Sequence, residues 1–527
     1  MKKNIYIRPD EPNMTPRIYA ALAGIGPEEE AILEFETGTY YFYRDGSELF
    51  DIYSSGGKST KNHVIFPVQD KTNLTIRGNG AEFVFCDRVQ PFLFQNCRGI
   101  RLENFSVDYA FLRYAWGVVE HESEDGFGLS LDRERFDYFV EGNCLCFRAG
   151  ADVISSAARK FSSKVIGPGG RGIFFLYIGD TQAAAYAAAP NVLLDAEETE
   201  TGVFLRYRNG QSPRVTFRPG DTVCIAYDNE REAQGFWMEH CRDIRLEGIS
   251  VYRCGGMGVV ADLCEDISVE GLNIRIKPGR KEYYPTTADG IFLTNCCGSF
   301  RLRDSYISGT YDDAMNIHGF YTFVEELLPG NRVRVGYRHD SHWGTIPCKP
   351  EDVLHITNGE SLEEVGIAKV TAMEVSADRR EMVLTLESSV PVAVGMHLEN
   401  PDRMPRVLLE DNTVEDCPHM RLSAGYMTIR NNRLNLNDND IFINDLIGFW
   451  GESGAVEEVT ICGNTFGNAA GGNILVKSFR PEDANRLHNR IKIENNCFAR
   501  PRETALRISG VQELKEENNR FGGCGDD

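Results

Sequence analysis

Two stretches far apart in the chain can be laid over one another almost residue for residue. One runs Phe92-Leu93-Phe94-Gln95-Asn96-Cys97 into Ile100-Arg101-Leu102-Glu103, the other Phe236-Trp237-Met238-Glu239-His240-Cys241 into Ile244-Arg245-Leu246-Glu247. Each holds apolar residues in alternation, a polar pair, and a second alternating run that ends in Asn or Gly. Further copies start near Val260, Leu293, Met427, Val459 and Ile491. Period-two alternation fits strands, whose successive side chains point to opposite faces. One such unit cannot bury its apolar face alone, whereas stacked copies bury it against each other. The repeat therefore predicts an all-β chain, a right-handed parallel β-helix of about ten rungs without helical stretches.

Two segments interrupt the repeat. Residues 118–232 include Leu129-Ser130-Leu131, Val203-Phe204-Leu205 and Val223-Cys224-Ile225; residues 321–402 include Val333-Arg334-Val335, Val370-Thr371-Ala372 and Val383-Leu384-Thr385. Short alternating runs joined by Gly, Asn and Asp turns read as two small antiparallel β-barrels inserted between rungs. The expected order is N-terminal rungs over 1–117, a first barrel over 118–232, central rungs over 233–320, a second barrel over 321–402 and C-terminal rungs over 403–527.

The chain carries 56 Lys and Arg against 78 Asp and Glu, a formal net charge of −22 without acidic blocks. Such a field disfavours nucleic acid and an anionic membrane surface as partners and suits a neutral ligand. No run approaches the roughly 20 apolar residues of a membrane span. Lys2 and Lys3 are followed by no apolar core of the kind a secretory signal carries, so the expected location is cytoplasmic. The 15 cysteines then read as buried thiols rather than a disulfide framework. Cys97, Cys241, Cys264 and Cys296 recur at one place in successive units, as a ladder of small apolar side chains inside the coil would; a redox or metal role is the alternative. Asn432, Asn464 and Asn496 likewise close their strands and read as stacked turn residues that tolerate left-handed backbone.

Against this scaffold the acids stand out. Asp312 and Asp313 are adjacent, and Asp289, in Thr287-Ala288-Asp289-Gly290, lies 23 residues before Asp312. That interval is about one turn of the coil, so the three carboxylates should stack on one patch. Glycoside hydrolysis needs such a set: an acid to protonate the leaving oxygen and a carboxylate to activate water. Neighbours in a regular strand point to opposite faces, so a bend at Asp312-Asp313, assisted by Gly309, is expected. Turn acids or a calcium site are the alternative.

Ala288-Asp289-Gly290, Asp312-Asp313-Ala314-Met315-Asn316-Ile317-His318-Gly319 and Trp450-Gly451-Glu452-Ser453-Gly454 together resemble glycoside hydrolase family 110, the inverting exo-α-1,3-galactosidases. The resemblance covers roughly 235 to 500 and both insertions, which that family also carries as β-barrels. It implies action on a galactose-terminated oligosaccharide or glycoconjugate, as in blood group B or the linear Galα1,3Gal epitope, with no metal and no cofactor. It also implies Asp289, Asp312 and Asp313 as the catalytic set. Asp312 is expected to be the acid, with Asp289 and Asp313 holding and deprotonating the water.

Around the acids, His318 is read as orienting Asp313 or bonding a sugar hydroxyl, or else as a packed histidine satisfied by backbone. Trp450 offers a face for the apolar side of galactose and Glu452 an acceptor for vicinal hydroxyls; a rung-capping aromatic beside a solvated acid is the alternative. Arg421, Tyr426, Tyr283 and Tyr284 are further substrate-binding candidates. His339-Asp340-Ser341-His342 is read as structural. Two other functions compete. A polygalacturonase-like β-helix hydrolase would place Gly-His-Gly and Arg-x-Lys after the acid pair, but Arg275-Ile276-Lys277 precedes it. A non-catalytic glycan-binding β-helix would have no use for three stacked acids. The sequence leaves a homodimer open.

Overall fold

Inward-pointing residues of each repeat stack into columns, and the columns define the molecule. In the computed structural model, residues 2–523 are described apart from 54–55, 58–59, 151, 157–160, 168–169, 179–192, 208–216, 228–230, 388–390, 446–449 and 479–487. Rungs pair in parallel through a 21-stranded and a 12-stranded sheet. One column runs Phe92, Phe236, Val259, Ile291, Met315, Met420, Ile441 and Ile474. Across the interior stand Leu102, Leu246, Val269, Leu302, Leu409, Ile429 and Ile461. All belong to one continuous buried core. The architecture is the parallel β-helix that the repeat predicts.

The two stretches that overlay in sequence are neighbouring rungs, with Phe92 opposite Phe236 and Leu102 opposite Leu246. The first excursion between them closes a seven-stranded barrel, from Tyr114–Ser123 to Thr222–Ala226, around its own core. The second closes a six-stranded barrel, from Thr322–Leu328 to His397–Glu399. Both re-enter the solenoid in register: after the second, Phe300 faces Val407 and Met315 faces Met420. Arg379 of the second barrel binds Glu239 at 2.8 Å, and Thr345 donates to Asp262 at 3.0 Å. These contacts hold that barrel on the outer face of the 12-stranded sheet.

Three sequence readings need correction. A helix, Thr15–Ala23, is present; it buries Met14, Ile18, Leu22 and Ile25, an i, i+4, i+8, i+11 stripe that joins the solenoid core. Cys497 is disulfide-bonded, although Cys97, Cys241, Cys264 and Cys296 are free and buried as expected. The asparagines are not left-handed turn residues. That conformation falls one position earlier, on Asn431 (φ 56°), Gly463 (φ 66°) and Asn495 (φ 56°).

Asn432, Asn464 and Asn496 instead form a buried amide ladder. Each Nδ2 donates to the Oδ1 of the next, at 2.9 Å from Asn432 to Asn464 and 3.0 Å from Asn464 to Asn496. Each also donates to a backbone carbonyl, and its own Oδ1 accepts the backbone N–H of the rung before. Asn412 and Asn519 extend the ladder at its two ends. Replacing Asn464 with Leu takes away the acceptor shared by the Asn432 backbone N–H and Nδ2, the side-chain donor to the Ile429 carbonyl and one of the two donors to Asn496 Oδ1. Buried unsatisfied groups of this kind cost about 1–3 kcal/mol each, so we expect Asn464→Leu to lose about 3 kcal/mol or more in urea unfolding. A loss within error of wild type would mean the ladder is not a stabilising element.

Candidate active site

Asp289 and Asp313 owe their proximity to rung register. Ile291 lies opposite Met315 and Thr294 opposite His318. Carried back around the corner, that register brings Asp289 beside Asp313: Gly290 N–H donates to Asp313 O at 2.9 Å and Asp312 N–H to Ala288 O at 3.2 Å. Backbones approach closely here. A Cβ on Gly258 would sit 2.6 Å from Gly290 O, and one on Gly290 would sit 2.6 Å from Ala314 O. This explains why glycine follows Asp289.

The expected bend is present. Gly309 is left-handed (φ 75°), and the chain turns between the strands Tyr306–Ser308 and Met315–Phe320, with Thr310 Oγ1 donating to Asp312 O at 2.7 Å. Freed from strand alternation, the two aspartates find different partners. Asp312 Oδ2 meets Arg231 Nη2 at 2.8 Å, and Asp313 Oδ1 meets His419 Nε2 at 3.0 Å.

The electrostatics separate the acids. Burial, then the charge of Asp312, pushes the Asp289 carboxyl well above the carboxylate range, with Asp313 and Glu452 adding to the rise. Burial also works on Asp312, but Arg231, Lys164, His419 and Arg421 outweigh it and hold that carboxyl below its ordinary value. The two carboxyls are thus pushed in opposite directions, a split characteristic of acid–base pairs. Burial alone would push His419 down; the Asp313 carboxylate reverses this and holds the imidazole above its usual value.

Beside these acids, the strand Glu452–Ser453 folds back antiparallel onto Gly319 and Phe320, which brings the Trp450-Gly451-Glu452 motif to the acidic rung. Glu452 is buried, bonded to Arg421 and reached by Asn316 Nδ2 at 3.4 Å. Burial raises its carboxyl, but Arg421 and His318 prevail and pull it down to about 2. His318 is buried, its Nδ1 donating to Gly319 O at 2.6 Å and its Nε2 facing Glu452 Oε1 at 3.7 Å. It therefore matches the packed alternative and does not orient Asp313. Trp450 rests against the second barrel: its carbonyl accepts from His342 Nε2 at 2.7 Å and its ring lies 4.4 Å from that of His339.

Tyr426 is not brought to the cluster. It opens a strand of the other sheet, 42 % exposed, with the Arg406 guanidinium 4.1 Å over its ring. Tyr284 packs edge-on to Tyr311, next to Asp312, at 4.9 Å. Among the described residues, no group of three or more His, Cys, Asp or Glu side chains is placed to hold a metal ion.

Sequence reasoning missed Arg231, Lys164 and His419. Arg231 and Lys164 come from the first insertion and its exit, where no repeat phases them. His419 had a signal: Met420-Arg421-Leu422 repeats the in–out–in order of Met315-Asn316-Ile317, but the second insertion lies between the two copies.

Comparison with known proteins agrees with the motifs, although no family model matches the chain. Alpha-1,3-galactosidase B of Bacteroides thetaiotaomicron is 24% identical over 516 residues, covering 93% of this chain and 81% of that protein. Alpha-1,3-galactosidase B of Bacteroides fragilis is 27% identical over 483 residues, covering 87% and 78%. Alpha-1,3-galactosidase A of Bacteroides thetaiotaomicron is 25% identical over 493 residues, covering 91% and 82%. These similarities, at 24–27% identity over most of the chain, support an assignment of the glycoside hydrolase family 110 type. A polygalacturonase from Erwinia carotovora ssp. carotovora superposes with a TM-score of 0.43 at 9% identity, covering 99% of this chain and 93% of that one.

The Asp313–His419 contact makes a direct prediction. Imidazole NMR of wild type should show His419 titrating above the ordinary value of about 6.5. In Asp313→Asn, burial is no longer opposed by that carboxylate, so the His419 pKa should fall. An unchanged titration would mean that Asp313 does not govern His419.

Proposed function

We infer that the protein is a glycoside hydrolase that releases terminal α-1,3-linked galactose from glycans. The curated relatives carry that activity in their names. The observation that carries the reading on this chain's own residues is the pair Asp289 and Asp312, brought together by rung register, with burial pushing one carboxyl up and Arg231 holding the other down. Hydrolysis of a glycosidic bond needs one protonated and one ionised carboxyl across the scissile bond. Asp289 holds the proton that the leaving oxygen requires. Asp312, kept ionised by Arg231, draws the proton from the attacking water. These roles exchange the ones expected from sequence, because Arg231 belongs to the first barrel and could not be phased against the acids.

Asp313 and His419 form a couple on the next rung that positions the water and adds negative charge beside the developing oxocarbenium ion. Asp312 and Asp313 have partners in different parts of the fold, the first-barrel exit and the adjoining rung. Divergent carboxylates on rungs about 4.8 Å apart can reach the roughly 6.5–9.5 Å that inversion needs for an intervening water. Inversion is the stereochemistry we propose. Glu452, locked to Arg421, and Trp450, pressed to the second barrel, form the wall facing the acids.

Proton NMR of fresh enzyme with Galα1,3Gal should show β-galactose first, before mutarotation. Early α-galactose would overturn the inverting mechanism, and no galactose would overturn the substrate.

The acid and base assignments separate by leaving group. Loss of a general acid or base typically lowers turnover about 10²–10⁴-fold. We expect Asp289→Asn to retain activity on an aryl galactoside whose leaving group needs no proton. Asp312→Asn should stay inactive on it until azide is supplied. In wild type, activity should fall as pH drops through the lowered Asp312 titration and as it rises through the raised Asp289 titration. Asp312→Asn should remove the acid limb. The reverse leaving-group pattern would return the acid role to Asp312.

A further inference from the structure

A second cleft, of about 440 Å³, opens where the first barrel leans on the solenoid and contains none of the residues placed in catalysis. Its charge runs against the rest of the molecule. On a chain of net charge −22, five Lys and Arg side chains line it against two acids. Three of the five are neutralised: Arg253 binds Glu282, Arg280 binds Asp108, and Arg148 binds Asp137 at 2.7 Å. Arg135 and Lys281 have no acidic partner among the described residues.

The two residues meet through the Lys281 main chain. Arg135 comes from the first barrel and Lys281 from the solenoid loop that leads to Asp289. Arg135 Nη1 donates to Lys281 O at 3.3 Å, and its guanidinium is laid over Trp116 at 4.9 Å. Trp116 is itself wedged edge-on between Phe136 at 4.8 Å and Tyr283 at 5.3 Å. A guanidinium fixed in this way has lost much of its side-chain freedom before any ligand arrives. Two cations that line one cleft without acidic partners offer an anion charge-assisted hydrogen bonds. Phe111 and Leu112 of the same lining are apolar and partly exposed. A cationic pair and apolar side chains in one cleft of this volume match a ring with one apolar face and one anionic substituent.

We propose that this cleft is a second glycan site, which holds a sugar bearing a carboxylate or sulfate with the anion on Arg135 and Lys281 and the ring against Phe111 and Leu112. The site is separate from the acid cluster, and it does not depend on the hydrolase reading. An enzyme with both sites holds an acidic glycan at one and trims a neutral terminus at the other.

Isothermal titration at low salt with galactose 6-sulfate, a galacturonate disaccharide, neutral galactobiose and inorganic sulfate tests this. We expect one or both acidic sugars to bind, the carboxylate or sulfate preference naming the anion, and added salt to weaken binding. Galactobiose and inorganic sulfate should each bind at least about tenfold more weakly, because each lacks half of the contacts. The exposed double variant Arg135→Gln/Lys281→Gln should lose acidic-sugar binding while melting normally and releasing galactose from Galα1,3Gal at the wild-type rate. Saturating galactose should not compete. The proposal is overturned by no binding, by equal binding of galactobiose or of inorganic sulfate, by unaltered binding in the double variant, or by competition from galactose. Failure of galactose release in wild type would instead count against the hydrolase reading alone.

Discussion

Register between stacked rungs is the constraint on which the rest of this molecule depends. A strand that slips by one residue turns its interior side chains outward, and here such a slip would expel Ile291, Met315 and Met420 from the core together. The apolar columns therefore fix the pairing, and the pairing carries Asp289 to Asp313 without any contact designed for that purpose. The asparagine ladder does the same work in polar form along the C-terminal rungs. Because each amide is satisfied by amide and backbone groups of the neighbouring rungs, a shifted rung would orphan several buried donors at once.

Once register has collected the acids, their surroundings decide what each can do. Desolvation acts on Asp289 and Asp312 in the same direction, and the cations break the symmetry. Arg231 and Lys164 arrive from the first barrel, His419 and Arg421 from a rung reached only after the second. The solenoid alone would hold a cluster of like charges, and the excursions and the rung beyond them turn it into groups with distinct protonation states. Glu452 follows the same logic, a buried carboxylate kept ionised because half-buried Arg421 is bonded to it.

Most of the fold was legible, because a period-two pattern repeated along a chain has few solutions. The Phe92 and Phe236 stretches overlay in sequence because they occupy equivalent places on adjoining rungs. The N-terminal helix was also legible, from Met14, Ile18, Leu22 and Ile25, but a single element is masked by a repeat that occurs many times. The aspartates were legible for the same reason as the rungs: they sit on the repeat. Their partners were not. Arg231 and Lys164 lie in segments with a different strand pairing, and nothing in the spacing of a solenoid can phase them. Tyr426 illustrates the converse error: near Arg421 in the chain, it lies around a corner on another sheet, since proximity in a coil is measured across rungs rather than along them. His318 failed for a related reason. Its Nδ1 is satisfied by its own neighbour's carbonyl, and His419, one rung away, takes the carboxylate it was expected to serve.

Each barrel also returns the chain to the point where it left. Tyr114 pairs directly with Ala226 in the first, and Thr322 with Leu398 in the second. For the solenoid, an inserted domain whose entry and exit strands are hydrogen-bonded neighbours behaves as a very short connection, however many residues it contains. Loop-closure entropy grows with the length of flexible chain between contacts; a folded barrel removes its whole excursion from that length. The barrels are thus clasps for the rungs as well as walls for the site, and loosening the apolar interior of either would be felt at Asp289 and Asp313 as a weaker tie between the turns that hold them.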